Sequence, residues 1–347
     1  MHHTLREVAQ YAGVNQTTVL NVMNGNCVRV SPETIRRVRQ IATKLGYVPS
    51  APARSHASQL IGMLVQAASE DNLTISPHAV AIVGQIEREL RKYGYHLLLR
   101  GVAKDGEIAE MLHSWSLEGV ILLDFLDAEI DNLTRRTVGA GRVLAIDSYS
   151  DNPLITGTRA DDFTGAREAT RHLLELGHRR IVFAGPALTD GGVVRERFTG
   201  YRQAFLDVSA EADPGLVETV NTTYVEGRKL GLSLGDWHPD ATAVFATADV
   251  LAIGIIRGLA ERGVDVPGHV SVVGFGDLDL CHYVTPRLTT VAQDLSEKAA
   301  IAVRVLVDSI ENNSRPEVPV IVGVSLVVRE STGPVRRPDE PPRSDEG

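Results

Sequence analysis

The sequence predicts an α/β protein: an N-terminal three-helix, helix-turn-helix head followed by two doubly wound parallel-sheet subdomains. Three observations carry this. In "LREVAQYAGVNQTTVLNVMN" (residues 5–24), two short apolar-periodic stretches flank Gly13. From about Leu60 onward, strand-like apolar runs alternate with helical ones. Charge is also divided: residues 1–57 carry seven basic and two acidic side chains, a net +5, which leaves −14 on the remainder of a chain of net charge −9. A basic head on an acidic body points to a polyanion as the head's partner.

Within the head, Val8, Ala12, Val14, Val19 and Val22 fall where two helices crossing over a tight turn bury their contacts. Ala9 is small because the second helix passes over it. Gly13 supplies a turn conformation that side chains disfavour. Asn15 caps the second helix by accepting a backbone N–H. A third helix, "SPETIRRVRQIATKLGY", has Ser31 as its cap and Pro32 at its first position, and it buries Ile35, Val38, Ile41 and Leu45. A recognition helix enters the major groove of DNA with its first residues toward the base edges. Here those are Gln16 and Thr17, with Asn21 a turn later. Gln and Asn pair with adenine through N6 and N7, while Thr suits a thymine methyl or a phosphate. Thr4, Thr18 and Asn24 are placed to bond phosphates, and Leu5 belongs to the same candidate face.

Beyond the head, "LIGMLV" reads as a buried strand and "HAVAIVGQIERELRKYG" as a helix with a glycine stop. The alternation continues through "YHLLLRG", "EIAEMLHSW", "GVILLD", "RVLAID", "DFTGAREATRHLLELG", "RRIVFAG", "FTGYRQAFLDV", "ATAVFATAD", "VLAIGIIRGLAERG" and "HVSVVGFGD". Strands alternating with helices specify parallel sheets covered on both faces. There are too many units for one sheet, so two form, with a cleft at the strands' carboxyl ends. The tail, residues 333–347, is proline-rich and charged and predicts disorder.

Composition narrows the function. No apolar run is long enough to span a membrane, and the first residues lack a signal peptide's apolar core, which predicts a cytoplasmic protein. Cys27 and Cys281 stand far apart, so neither a disulfide framework nor a zinc spacing exists. "GFGDLD" (274–279) lacks a third glycine, and there is no Walker sequence, nucleophile elbow or H-E-x-x-H. An enzyme is therefore disfavoured, and neither cofactor nor metal is called for.

The segments "AGVNQTTVLNVMNG", "VSPETIRRVRQIATKLGYVPSAPARS", "ELGHRRIVFAGP", "RERFTGYRQAF", "VSVVGFGD" and "TPRLTTV" follow one another in the order seen in the lactose/galactose-repressor (LacI/GalR) family. The chain resembles that family over almost its whole length. The resemblance implies a periplasmic-binding-protein-like core, a homodimer or tetramer on pseudo-palindromic double-stranded operator DNA, and a small-molecule effector in the cleft. It divides the chain into a head (1–49), a hinge (50–59), a core (60–332) and the tail. Within the core it implies an N-subdomain of about 60–158 and 291–318, and a C-subdomain of about 159–290 and 319–332. In the hinge, Arg54 is expected near phosphate or minor groove, and His56 stands where the family inserts a leucine. Histidine is a poorer wedge for opening a base step.

For the effector, the resemblance implies contacts from Asp147, Arg197 and Asp277. Arg197 matches an arginine three residues before "GY", and a guanidinium fork suits vicinal hydroxyls or a carboxylate. Pairing of Arg197 with an acidic neighbour is the alternative. Ala248 and Gly276 replace an asparagine and an aspartate of the family pattern, and Leu295 replaces an aromatic platform. Asp249 reads as a helix cap or a ligand contact, and His178 as a loop residue. The expected function is a DNA-binding transcriptional regulator, a repressor tuned by a small polar metabolite. An effector-independent regulator, a solute-binding protein and an enzyme are the competing readings.

Overall fold

The computed structural model describes residues 5–23, 30–45, 58–66, 76–102, 115, 117–134, 142–312 and 319–335. It divides into two units, Met1–Ser58 and Gln59–Gly347. Thr4, Asn24, Arg54, His56, the side chain of Leu5, nearly all of "EIAEMLHSW" and most of the hinge lie outside the described residues.

The first unit holds helices α1 (Leu5–Ala12), α2 (Gln16–Met23) and α3 (Pro32–Lys44). Val8, Ala9, Ala12, Val19, Val22, Val38 and Ala42 are buried together, with Val14, Ile35, Ile41 and Leu45 packed against them. This is the expected core. Gly13 has φ +62°, the left-handed conformation that glycine enters without a Cβ clash. Asn15 Oδ1 accepts the Thr18 N–H at 2.7 Å, and Ser31 Oγ accepts that of Thr34 at 3.3 Å, so both sequence-assigned caps form. Arg37 donates from Nε to the Ala12 carbonyl at 3.1 Å. One of the head's basic side chains therefore closes the end of α1.

The second unit contains two six-stranded sheets. The first is built from β1 (Leu60–Gln66), β2 (His96–Val102), β3 (Gly119–Leu123), β4 (Val143–Ile146), β5 (Ile155–Ala160) and β11 (Val320–Val322), in the order β11-β5-β4-β3-β1-β2. Helices α4 (Pro77–Lys92) and α10 (Leu295–Asn312) bury one of its faces through Ile82, Ile86, Leu90, Val303 and Leu306. A short helix, α5 (Asp127–Asp131), contributes Ile130 to the cluster on the other.

The second sheet uses β6 (Ile181–Gly185), β7 (Val217–Thr219), β8 (Ala243–Ala246), β9 (Ser271–Gly276), β10 (Thr289–Gln293) and β12 (Val324–Val327), in the order β12-β10-β9-β8-β6-β7. It is flanked by α6 (Asp162–Glu175) with α7 (Val193–Asp207), and by α8 (Tyr224–Trp237) with α9 (Asp249–Glu261). All pairings are parallel except β10–β12.

The chain crosses between the sheets near 160–162, 293–295 and 322–324. The sequence reading divided it elsewhere: it placed 319–332 with the second sheet and 291–293 with the first, whereas β11 belongs to the first and all of β10 to the second. Each crossing joins one element almost directly to the next, with no turn cluster to mark it.

The tail reading also changes at its start. Gly333 N–H bonds Ser271 Oγ at 3.0 Å, its carbonyl lies 2.9 Å from His178 Nε2, and Val335 N–H bonds the Leu176 carbonyl at 2.9 Å. Residues 333–335 therefore form a strap on the second half, because these backbone groups find protein partners that composition does not reveal. His178, a loop residue as read from the sequence, is buried under this strap.

Candidate DNA-reading face and ligand cleft

Helix α2 carries no charged residue, and its apolar side is spent on the head's core. Its first turn presents Gln16 and Thr17, both exposed, while Thr18 and Asn21 are half-buried. Asn15 satisfies one N–H of this first turn, and no acidic side chain cancels the positive end of the helix. The arrangement offers amide and hydroxyl groups on the first turns of a helix whose opposite side is fixed by packing.

The candidate ligand site begins where strands end. Asp124, Asp147 and Asp277 directly follow β3, β4 and β9, with φ of 62°, 57° and 56°. Aspartate tolerates this left-handed turn better than most residues. Asp147 is pinned on both oxygens. Oδ1 accepts from Lys298 Nζ at 2.6 Å, and Oδ2 lies 3.1 Å from His78 Nε2. Burial would push its carboxyl up, but Lys298 and His78 hold it far below the usual carboxylate range. Lys298 Nζ also donates to Gln293 Oε1 at 2.6 Å. The neighbouring carboxyl of Asp124 is raised by burial and by Asp147, against the pull of His78.

Arg197 projects from α7. Its Nε and Nη2 reach Asp162 Oδ1 at 2.8 and 2.7 Å, and Nη1 donates to the Thr247 carbonyl at 2.6 Å. The guanidinium lies 3.8 Å from the Phe275 ring centre. Gly200, one turn later, permits this approach: a Cβ there would stand 2.2 Å from the Phe163 carbonyl on α6. Asp162 Oδ2 accepts from the Tyr149 hydroxyl at 2.9 Å, which ties the loop after β4 to the start of α6. Burial pushes the Asp162 carboxyl up and Arg197 pulls it down; Asp147 and Lys298 act on it as well. Asp147 and Arg197 thus belong to one charged cluster at the carboxyl ends of both sheets.

Asp277 is placed differently. Its Oδ1 accepts from Arg329 Nη2 at 2.6 Å, and Arg329 also bonds the Leu288 carbonyl. Among the described residues it makes no hydrogen bond to the cluster around Arg197. Asp249 is the first residue of α9 rather than its cap, a position held by Ala248 without a side-chain bond. Its buried carboxylate instead accepts from Leu278 N–H at 2.9 Å and Thr290 Oγ1 at 2.5 Å, fastening the loop after β9. A backbone N–H and a hydroxyl from neighbouring segments outcompete its own helix.

Sequence reading missed Lys298, His78, Asp162 and Tyr149. For Lys298 a signal exists: it occupies the apolar stripe of α10 that includes Ala299, Ala302 and Leu306. The others carry none, since they are ordinary polar residues that join the site through partners distant in sequence.

Comparison with known proteins agrees with this architecture. Residues 4–50 match the profile of bacterial regulatory proteins of the lacI family, and residues 170–332 that of the periplasmic binding protein-like domain. The transcriptional regulator CelR of Thermobifida fusca is 33% identical over 339 residues, covering 94% of this chain and 98% of that protein. DegA of Bacillus subtilis is 28% identical over 96% of this chain and 99% of its own length. The solved CelR–cellobiose complex superposes with a TM-score of 0.72 at 28% identity, covering 95% of this chain and all of that one. The Lac repressor dimer bound to operator and an anti-inducer shares the fold at a TM-score of 0.81 and 24% identity, covering 96% of this chain and all of the other. The chain belongs to the LacI family of bacterial transcriptional regulators. No described helix is long and apolar enough to cross a membrane.

Proposed function

We propose that this protein is a repressor that binds a pseudo-palindromic operator as a homodimer, with Gln16, Thr17 and Asn21 reading bases and Thr18 bonding phosphate. The observation that carries the reading is the helix α2 surface: Gln16 and Thr17 are exposed on a helix whose other side is sealed in the head's core. Thr4, Leu5, Asn24, Arg54 and His56 complete the proposed DNA face. The core tunes operator affinity through a small polar ligand held in the cleft by Asp147 and Arg197. A saccharide is the leading class, supported by the solved relatives that hold cellobiose and ribose. Asp277, engaged with Arg329, contributes only if that pair opens.

The test is selection of the full-length protein on randomised duplex DNA, with and without cellobiose and ribose. A palindromic consensus whose occupancy responds to one sugar supports both parts of the reading. No enrichment under any condition removes the regulator reading. Enrichment indifferent to every small molecule supports a second reading, an effector-independent regulator. That reading is favoured by one observation: the carboxylates of Asp147 and Asp162 are already paired within the protein.

A further inference from the structure

Lys298 is the least expected polar residue of the core. None of its surface reaches solvent. An isolated lysine buried so deeply would lose its proton. This one is clamped by Asp147 and Gln293, each at 2.6 Å. Of this ion pair only Asp147, whose side chain is 15% exposed, reaches solvent.

Other groups near the candidate site are also engaged within the protein. Arg197 is paired with Asp162. Arg159 lies 3.9 Å from the centre of the Tyr149 ring and donates from Nη1 to the Ser148 carbonyl at 3.4 Å. His78 stands between Asp147 and Asp124. Asp127 adds a further carboxylate: Oδ1 accepts from the Ser148 hydroxyl and the Tyr149 N–H, while Oδ2 is buried and has no hydrogen-bond partner among the described residues.

From this balance we infer that Lys298 determines the charge class of the ligand. As a tethered counter-ion it cancels Asp147 from within, so the cleft takes an uncharged, hydroxyl-rich molecule and rejects acidic and amine-bearing ones. A hydroxyl both donates and accepts, so it fits against a carboxylate–cation pair. An anion meets several carboxylates, and among the described residues Lys298, Arg197 and Arg159 are already engaged. An amine competes with Lys298 for a carboxylate that the protein already holds. The inference rests on the proposed reading that this cleft is the effector site.

Thermal melting of the full-length protein tests it, using neutral mono- and disaccharides, cellobiose and ribose among them, and their aldonic-acid and amino-sugar counterparts. Wild type gains Tm from a neutral sugar and not from its charged counterparts. Lys298→Met shifts the preference toward the amino sugar, by roughly tenfold or more in relative Kd, because one buried charge is left uncompensated. That variant also recovers Tm on acidification, as Asp147 takes up a proton; a packing role alone would cost the same at every pH. If Lys298→Met does not fold at neutral pH, the double variant Asp147→Asn with Lys298→Met, which removes both charges, folds and keeps the neutral preference.

Stabilisation of wild type by an acid or amine alone, by no saccharide of any charge, or an unchanged preference in Lys298→Met overturns the inference. Operator binding is scored on the same preparations. Intact operator binding with the wrong ligand pattern defeats the inference alone, whereas absent operator binding defeats the regulator reading.

Discussion

Gln16 and Arg197 show how much one side chain's surroundings decide. Gln16 is exposed at the start of a packed helix, so its removal leaves the head intact. Gln16→Ala is expected to weaken specific operator binding by about 1–3 kcal/mol and to relax preference at one base pair. Titration of operator and random duplex checks this, and an equal loss on both would contradict base reading. Arg197 is the opposite case, being buried with Asp162, the Thr247 carbonyl and the Phe275 ring around it. Arg197→Met strands a buried carboxylate, at a cost of about 3–5 kcal/mol. The loss should shrink as pH falls, because Asp162 is already biased toward its protonated form. Arg197→Lys keeps the charge but not the planar contact on Phe275, and should fall between wild type and Met. Denaturant melts at two pH values distinguish these outcomes.

Among the elements, those with strong local signals were legible and those defined by long-range contacts were not. Asn15, Ser31 and Gly13 mark helix ends through their own backbone chemistry, and all three act where the sequence placed them. The buried strands β3, β6 and β9 read directly as apolar runs. By contrast, β11 and β12 are short segments on either side of Gly323 that pair with different sheets, which no local pattern announces. The site divides in the same way. Arg197 and Asp147 were found through family resemblance, yet their partners Asp162 and Lys298 lie 35 and 151 residues away in sequence. Helix packing has its own sharp determinant in Gly200. Gly200→Ala forces α7 away from the Phe163 carbonyl and is expected to cost about 1–3 kcal/mol through overpacking. If α7 shifts, Arg197 loses its fit to Asp162, so ligand response should fall more than operator binding; separate titrations of the two measure this.

For the whole molecule, protonation and ligand binding are linked to stability through groups far apart in sequence. His178 and His172 bond Gly333 and Thr332 at the start of the strap, and burial lowers the pKa of both. A histidine depressed in the folded state binds fewer protons there than in the unfolded chain. Stability is therefore full above the unfolded value of about 6.5 and falls as pH drops below it. Asp147, also depressed, adds a second loss of the same sign, beginning only near pH 4, about the unfolded value of an aspartate. A melt series from pH 8 to pH 5 should therefore fall through the histidine window, with His178→Gln reducing the loss; at lower pH the raised carboxyls of Asp124 and Asp162 act in the sense opposite to Asp147. The same linkage governs function. If a sugar in the cleft alters operator affinity by some factor, operator must alter sugar affinity by that factor, since both ligands act on one equilibrium. A coupling of roughly 1–3 kcal/mol is the usual size. Calorimetric titration of the sugar into free protein and into the operator complex measures it from one side, and operator titration with and without sugar from the other. Unequal coupling free energies would mean that a further binding event, such as a change of oligomeric state, separates the two measurements.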